Sequence, residues 1–220
     1  MQKAVPTMMV RLNTAEGFIV DLPLMGQRFL HRDSGKASLD FTVYTEWSIL
    51  EALAKPILFF NPFCVVELGA GKSTVGLAKA AQEMGVTLHT VDKRPDKKVQ
   101  YFENHIYHHM LTEEFMDDFD DTPALVLIDA DHSYEMSKRE FEFFYKKLVI
   151  GGVIFLHDTF PPHEFYLRPT GCDDVYKLRR EIEDRRDELD CDVFTWPYTA
   201  QFMGLTMVIK KDPERPYFGR

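Results

Sequence analysis

The chain has 220 residues, of which 45% are hydrophobic and 28% charged, a composition typical of a globular domain. Its formal net charge of −9 argues against nucleic acid as the main partner, because binding a phosphate backbone usually needs a basic face. The three cysteines form no C-x-x-C pair, so we expect neither a disulfide framework nor a cysteine-rich zinc site, and a reducing cytoplasm is the default location. We also expect no signal peptide and no membrane span.

The predicted elements alternate between helices and strands after an irregular N-terminal stretch. Residues 1–40 contain one strand candidate, Phe18–Val20, and an amphipathic helix is predicted over Glu46–Lys55. The apolar runs that follow predict strands at 63–68, 87–91, 106–110, 125–128 and 153–156. Between them, helical periodicity predicts helices over 74–84, ending at Gly85, and around 141–148.

The C-terminal part adds a helix and a hairpin to this pattern. A charged amphipathic helix is predicted from Val175 to Leu189, and Val193–Trp196 with Leu205–Lys210 predict a hairpin. Strands alternating with helices imply a doubly wound α/β fold with a mostly parallel sheet and one antiparallel strand at its end. Ligands of such sheets bind beyond the carboxyl ends of the strands, so the residues that follow each strand are the candidates for function.

A glycine loop follows the first strand of the predicted sheet, over Glu67–Thr74. A phosphate-binding P-loop is one hypothesis, based on Gly71-Lys72-Ser73, but that motif requires glycine where Val66 stands. A dinucleotide loop requires glycine where Thr74 stands. The third hypothesis is an S-adenosylmethionine loop, and a plain strand-to-helix turn without a ligand stays open beside it.

Acidic residues and histidines follow three other strands. Asp92 comes 25 residues after Glu67, at a position where a carboxylate can accept hydrogen bonds from both ribose hydroxyls. Asp129 and the pair His157-Asp158 end two strands that are neighbours in a doubly wound sheet, so they could converge on a divalent cation. His132 would lie close enough to act as a base. The alternative is that these residues cap helices and stabilise turns.

Three segments together resemble the class I S-adenosylmethionine-dependent methyltransferases, in the branch of the catechol and sugar O-methyltransferases. The segments are Val65–Gly71, Leu127–Glu135 and Gly151–Thr159, and the resemblance covers about residues 45–210. It implies a seven-stranded, Rossmann-like sheet whose last strand is antiparallel. It also implies transfer of a methyl group from S-adenosylmethionine to a hydroxyl of a small molecule, such as a sugar or a natural product.

The resemblance also implies roles for individual residues. The donor-binding candidates are Glu67, Gly69, Ala70, Gly71, Ser73, Thr74, Asp92 and Asp129. The catalytic candidates are His132 as base and Asp129. Asp129, His157 and Asp158 match the positions that hold Mg²⁺ in metal-dependent relatives, although His157 stands where those relatives have an acid.

Several further expectations complete the prediction. Residues 1–44 form an N-terminal extension, a lid or a dimer contact, and residues 45–220 form the catalytic domain; a homodimer is one expectation. His105, His108 and His109 are interpreted as edge or loop histidines. The loop 160–171 is expected to shape the acceptor pocket, and a residue of 110–115 to flank the adenine. The competing hypotheses are a P-loop ATPase or kinase, a glycosyltransferase that uses Asp129-Ala130-Asp131, and a non-catalytic adenosyl-ligand binder.

Overall fold

The computed structural model describes residues 46–95, 101–197 and 203–214, together with the backbone of four short N-terminal strands. The chain divides into two compact units, residues 1–44 with 215–220, and residues 45–214. In the first unit, β1 (Met8–Asn13) pairs antiparallel with β2 (Ile19–Leu24), and β3 (Arg28–Phe29) pairs antiparallel with β4 (Asp40–Phe41). The expected strand Phe18–Val20 therefore falls at the start of β2, with Phe18 outside the described residues. The role of this unit as a lid or dimer contact stays a prediction.

In the described part of the second unit, five α-helices flank a central sheet. Its helices are α1 (Glu46–Phe60), α2 (Ser73–Met84), α3 (Thr112–Asp118), α4 (Tyr134–Lys147) and α5 (Val175–Asp184). Its strands are β5 (Cys64–Leu68), β6 (Leu88–Val91), β7 (His105–His108), β8 (Pro123–Ile128), β9 (Val153–His157), β10 (Cys191–Trp196) and β11 (Leu205–Lys210).

The seven strands lie in the order β10-β11-β9-β8-β5-β6-β7. Five of them, from β9 to β7, run parallel, and β11 is inserted antiparallel between β9 and β10. The predicted seven-stranded, mostly parallel sheet with a C-terminal antiparallel hairpin is therefore confirmed. This order places the ends of β6, β5, β8 and β9 side by side, so the residues that follow these strands share one edge.

Both faces of the sheet are covered, which explains the continuous apolar runs of its central strands. All six residues of β8 are buried. One core contains side chains of α3, α4 and α5, and the other contains side chains of α1 and α2. Among the described residues, none of the helices combines the length and apolar character that crossing a membrane would require.

Several elements have bounds that differ from the sequence-based expectation, among them α1, β7 and α5. Helix α1 continues five residues beyond Lys55 through Pro56, because Ala54 and Leu58 are both buried in the core shared with α2. Strand β7 covers His105–His108, because its pairing with β6 ends at Val91. Helix α5 ends at Asp184, and the chain then turns into β10.

Candidate active site

The loop between β5 and α2 can form only because residue 69 is glycine. Gly69 has a φ of 93°, in the region that favours glycine, and its amide donates to the carbonyl oxygen of Val91 at 2.8 Å. A Cβ atom at this position would collide with the backbone carbonyl of Asp129. The chain of β5 therefore passes directly against the end of β8. Val66 lies inside β5, so the loop lacks the length of a P-loop.

Hydrogen bonds of Glu67 and of the first residues of α2 fix the conformation of this loop. The fully buried Glu67 accepts hydrogen bonds from the hydroxyls of Ser73 and Thr90, the latter at 2.8 Å. The Gly71 amide donates to Thr74 Oγ1 at 3.0 Å. Burial raises the pKa of Glu67 to about 7, although the bonds from Ser73 and Thr90 oppose this shift. These contacts give Glu67, Ser73 and Thr74 a positioning role, and a direct contact with the donor stays a prediction for all three.

Asp92 follows β6 and faces the same loop. Its Oδ2 accepts from the Ala70 amide at 2.9 Å, and its Oδ1 accepts from the Arg94 amide at 2.7 Å. The Arg94 guanidinium lies against both oxygens and also donates to the Ala70 carbonyl at 3.0 Å. Burial opposes ionisation, but these bonds lower the pKa of Asp92 below its usual value. Asp92 is therefore a fixed carboxylate at the edge of the cavity.

A cavity of about 450 Å³ joins the glycine loop to the residues that follow β8. Gly69, Ala70, Gly71 and Asp92 line one part of it, and Asp129 with His132 lines another. Its remaining walls include Met110, Leu111, Thr112 and Glu113, within the segment expected to flank the adenine. The candidate donor-binding and catalytic positions thus meet in one space of ligand size.

Asp129 is the centre of a cluster of two carboxylates and two imidazoles. Its Oδ1 lies 2.8 Å from Nδ1 of His157 and 3.1 Å from Nε2 of His132. Burial alone would raise the pKa of Asp129, but the two imidazoles lower it to about 2. The His157 ring also stacks on Trp47, with the ring centroids 4.8 Å apart. Asp129 is therefore ionised at neutral pH and lies in contact with both imidazole rings.

His132 has an acceptor at each ring nitrogen. Nδ1 lies 2.8 Å from the carbonyl oxygen of Gly171, and Nε2 faces Asp129. Asp158, whose φ of 58° is unusual for a residue other than glycine, places Oδ2 3.8 Å from Nδ1 of His132. Burial opposes the charged imidazolium, but Asp129, Asp158 and the Gly171 carbonyl together raise the pKa of His132 above its usual value. A proton that reaches this imidazole is therefore stabilised.

The chemistry of this donor set fits magnesium poorly. One atom each from Asp129, His132 and His157 lie within 4.8 Å of one another, which is close enough for a shared cation. Mg²⁺ prefers oxygen ligands, whereas two of these three groups are imidazoles, which suit transition metals better. Asp129 also already accepts contacts from both rings. Magnesium binding by Asp129, His157 and Asp158 stays a prediction, and the proton transfer proposed for His132 does not depend on it.

Sequence reasoning missed three residues of the site. Arg94 is an exposed arginine two positions after Asp92, and only the structure shows its guanidinium on that carboxylate. Trp47 belongs to α1 but stacks on a residue of β9. Glu140 is fully buried on α4, where burial raises its pKa to about 8. A glutamate on the buried face of an amphipathic helix was the available signal for Glu140.

Comparison with known proteins agrees with this geometry. Residues 66–159 match the family model described as a methyltransferase domain, Methyltransf_24. This segment of the chain therefore resembles a methyltransferase domain. The match spans the glycine loop, Asp92, Asp129, His132 and the His157-Asp158 pair, and it agrees with the resemblance to the class I enzymes. A search of curated proteins found no match.

Solved structures of methyltransferases share this fold at low sequence identity. The O-methyltransferase TomG from Streptomyces achromogenes, in complex with SAM, is 16% identical, with a TM-score of 0.58 over 79% of this chain and 84% of that one. The SAH-bound methyltransferase PaMTH1 from Podospora anserina is 15% identical, with a TM-score of 0.58 over 77% and 80%. An O-methyltransferase from Bacillus cereus in complex with SAH is 16% identical, with a TM-score of 0.53 over 77% and 82%.

Proposed function

We propose that this domain transfers a methyl group from S-adenosylmethionine to a hydroxyl of a small molecule. One observation carries the proposal: a single cavity is lined both by the glycine loop with Asp92 and by the Asp129–His132 pair. The first set suits an adenosyl ligand, and the second suits removal of a proton. O-methylation also agrees with the activity for which TomG and the Bacillus cereus neighbour are named.

The donor would occupy the part of the cavity beside β5 and β6. In the proposal, Asp92 accepts hydrogen bonds from the ribose hydroxyls, which requires Arg94 to release at least one carboxylate oxygen. The segment 110–113 would flank the adenine from the opposite wall. Gly69 and Gly71 allow the backbone to approach the ligand, because neither carries a side chain.

The acceptor side uses the raised proton affinity of His132. S-adenosylmethionine supplies a methyl group on a sulfonium, so the acceptor oxygen forms the new O–C bond as the S–C bond breaks in line. In the neutral imidazole, Nδ1–H donates to the Gly171 carbonyl, so Nε2 is the nitrogen that would take the hydroxyl proton, and the acceptor oxygen would approach it beside Asp129 Oδ1. Asp129, whose Oδ1 lies 3.1 Å from the same Nε2, would then accept a hydrogen bond from the new N–H and stabilise the imidazolium.

The proposed acceptor class follows from the net charge of the chain, and the proposed acceptor-binding segment follows from a contact of the loop 160–171. The net charge of −9 favours a small-molecule acceptor over a nucleic acid. The loop 160–171 would border the acceptor, because its last residue, Gly171, holds His132. A cytoplasmic location suits the three free cysteines. A homodimer remains part of the proposal without a structural argument.

Calorimetric titration with S-adenosylhomocysteine and with ATP, each with and without magnesium, tests the donor. We expect binding of S-adenosylhomocysteine alone, and at least tenfold weaker binding by Asp92→Asn but not by Asp118→Asn, an exposed control on α3. Magnesium-dependent ATP binding without adenosyl-ligand binding would overturn the proposal in favour of a nucleotide-handling enzyme. If the donor binds, screening phenols and sugars for methyl transfer separates an enzyme from a non-catalytic binder.

A further inference from the structure

A second cluster of metal-ligand types lies at the amino ends of the strands, opposite the cavity. Cys64 begins β5, His89 is the second residue of β6, and Asp121 lies two residues before β8. These three strands are adjacent, with β5 in the middle. Strand β5 spans about 13 Å from Cys64 to Leu68, because a parallel strand advances about 3.3 Å per residue. The amino-end cluster is therefore separate from the donor loop.

The three side chains point toward one another. One ligand atom each from Cys64, His89 and Asp121 lie within 4.8 Å of one another. Nε2 of His89 is 3.9 Å from Oδ2 of Asp121, which is too far for a hydrogen bond. This Nε2 is buried and has no hydrogen-bond partner in the described part of the chain. A buried polar atom without a partner is costly, so the cluster lacks a group that this nitrogen would bind.

The other nitrogen of His89 is already held, as in a metal-binding histidine. Nδ1 of His89 lies 3.0 Å from Nε2 of His108 on β7. When Nδ1 carries the hydrogen and donates to His108, the lone pair of Nε2 faces Cys64 and Asp121. Burial, followed by the neighbouring His108, lowers the pKa of His89 to about 4, so its ring is neutral at pH 7. Metal-bound histidines commonly have such a second partner, which fixes the tautomer and the ring orientation.

We propose that Cys64, His89 and Asp121 bind one zinc ion at the amino end of the sheet, with water as the fourth ligand. A thiolate, an imidazole and a carboxylate are the three ligand types that zinc takes in proteins. Magnesium and calcium are disfavoured, because thiolate and imidazole are poor ligands for hard cations. On binding, the Cys64 thiol gives its proton to solvent and gives up its contact with the carbonyl of Thr122.

The position of the ligands explains how the ion would enter and what it would do. Asp121 has 70% of its side chain exposed, whereas His89 has 12%, so the site is open to solvent on the Asp121 side. The ion would cross-link β6, β5 and the segment that leads into β8, which are central strands of the sheet. Because the ion binds the folded chain, zinc is expected to raise the midpoint of thermal unfolding.

Cobalt substitution tests the site, because a cobalt–thiolate bond gives a charge-transfer absorption band that the Asp129–His132–His157 cluster cannot give. The untagged full chain, freed of metal with a chelator, is titrated with Co²⁺. We expect one band-forming Co²⁺ per chain, loss of the band in Cys64→Ser and retention in Cys172→Ser, the control for a thiol near the cavity. Absence of the band in the unmodified chain, or its survival in Cys64→Ser, would overturn the proposal.

A second pair of variants keeps the test decisive if Cys64→Ser fails to fold. Asp121→Asn and Asp120→Asn each remove one exposed charge from adjacent positions of one loop. Calorimetric titration with Zn²⁺ should show affinity at least about tenfold weaker in Asp121→Asn and unchanged in Asp120→Asn. Equal affinities in the two variants would contradict a ligand role for Asp121. Because none of these residues lines the donor cavity, S-adenosylhomocysteine binding tests the proposed function independently.

Discussion

The two ends of the parallel strands carry clusters of similar composition, but their contacts differ. At the carboxyl end, Asp129 Oδ1 lies 2.8 Å from His157 and 3.1 Å from His132. At the amino end, the corresponding distance from Asp121 Oδ2 to Nε2 of His89 is 3.9 Å. The first cluster brings one carboxylate oxygen within 3.1 Å of a nitrogen of each imidazole, whereas the second leaves Nε2 of His89 without a hydrogen-bond partner in the described chain.

This difference separates proton chemistry from metal binding. A carboxylate that contacts two imidazoles raises the proton affinity of a ring facing the cavity, which is useful for a base. A neutral imidazole that has a hydrogen-bond partner at one nitrogen and none at the other can bind a cation through the second nitrogen. Residue composition alone would assign a metal to both clusters, so the contacts decide between them.

Removing the base at the carboxyl end should have the largest effect. We expect His132→Gln to lower kcat by about 10²- to 10⁴-fold, because the acceptor hydroxyl loses its proton acceptor. Donor affinity should stay within about twofold, and His109→Gln, an exposed histidine, is the control. Steady-state kinetics and titration with S-adenosylhomocysteine measure the two quantities; unchanged kcat would contradict the assignment of the base.

The pH profile of the same reaction tests the role of Asp129. Because the pKa of His132 is raised, kcat should increase with pH through a midpoint above 6.5, the ordinary value. Removing the charge of Asp129 lowers that pKa, so Asp129→Asn should move the midpoint to lower pH as well as reduce the rate. A midpoint that stays in place would mean that Asp129 does not act through His132.

The glycine loop at the carboxyl end allows a matched comparison of two alanine substitutions. Gly69→Ala should lower the free energy of unfolding by about 2–4 kcal/mol, because its φ is 93° and the new methyl group meets the carbonyl of Asp129. Gly71→Ala should change it by less than about 1 kcal/mol, since a Cβ there has open space. Urea unfolding measures both variants, and equal losses would show that the close approach of the two strands is not needed.

Glu140 is a buried acid near the carboxyl ends of the strands, and no positively charged group pairs with it in the described chain. Its pKa is about 8 in the folded chain against an ordinary 4.5, so folding favours the protonated form. Stability should therefore fall as pH rises from about 4.5 to 8, and Glu140→Gln should recover about 1–3 kcal/mol at pH 8. Urea unfolding at pH 5 and pH 8 measures this, with the exposed Glu142→Gln as control; equal pH dependence in both variants would contradict it.

Arg94 should have the smallest effect. In the absence of ligand, the Arg94 guanidinium pairs with the Asp92 carboxylate, whereas in the proposal the bound donor takes over part of that contact. Arg94→Gln should therefore raise the free energy of the empty site more than that of the donor-bound site. We expect about two- to fivefold tighter binding of S-adenosylhomocysteine, since the guanidinium is half exposed and such ion pairs contribute about 0.2–1 kcal/mol. The neighbouring Lys93→Gln is the control, and weaker binding by Arg94→Gln would mean that the guanidinium instead assists the donor.

The strand ends and the residues that follow them can be predicted from the amino-acid sequence. Apolar runs broken by Gly69, Asp92, Asp129 and His157 predict parallel strands, because only strands covered on both faces are apolar throughout. Neighbouring parallel strands end at one edge, so the meeting of Asp129 with His157 was predictable before any distance was known. The end of α1 beyond Pro56 was less predictable, because burial of Ala54 and Leu58 in the core overrode the local preference there. The end of α5 at Asp184, five residues before Leu189, was not predicted either.

In contrast, which groups share protons and charges depends on the folded chain. Arg94 on Asp92, two imidazoles on one oxygen of Asp129, and the Gly171 carbonyl on His132 all depend on side-chain geometry that residue spacing does not contain. The cluster of Cys64, His89 and Asp121 depends on the strand order, which brings three distant segments to one edge. Periodicity along a chain predicts the elements it forms, whereas contacts between elements exist only after the sheet has assembled.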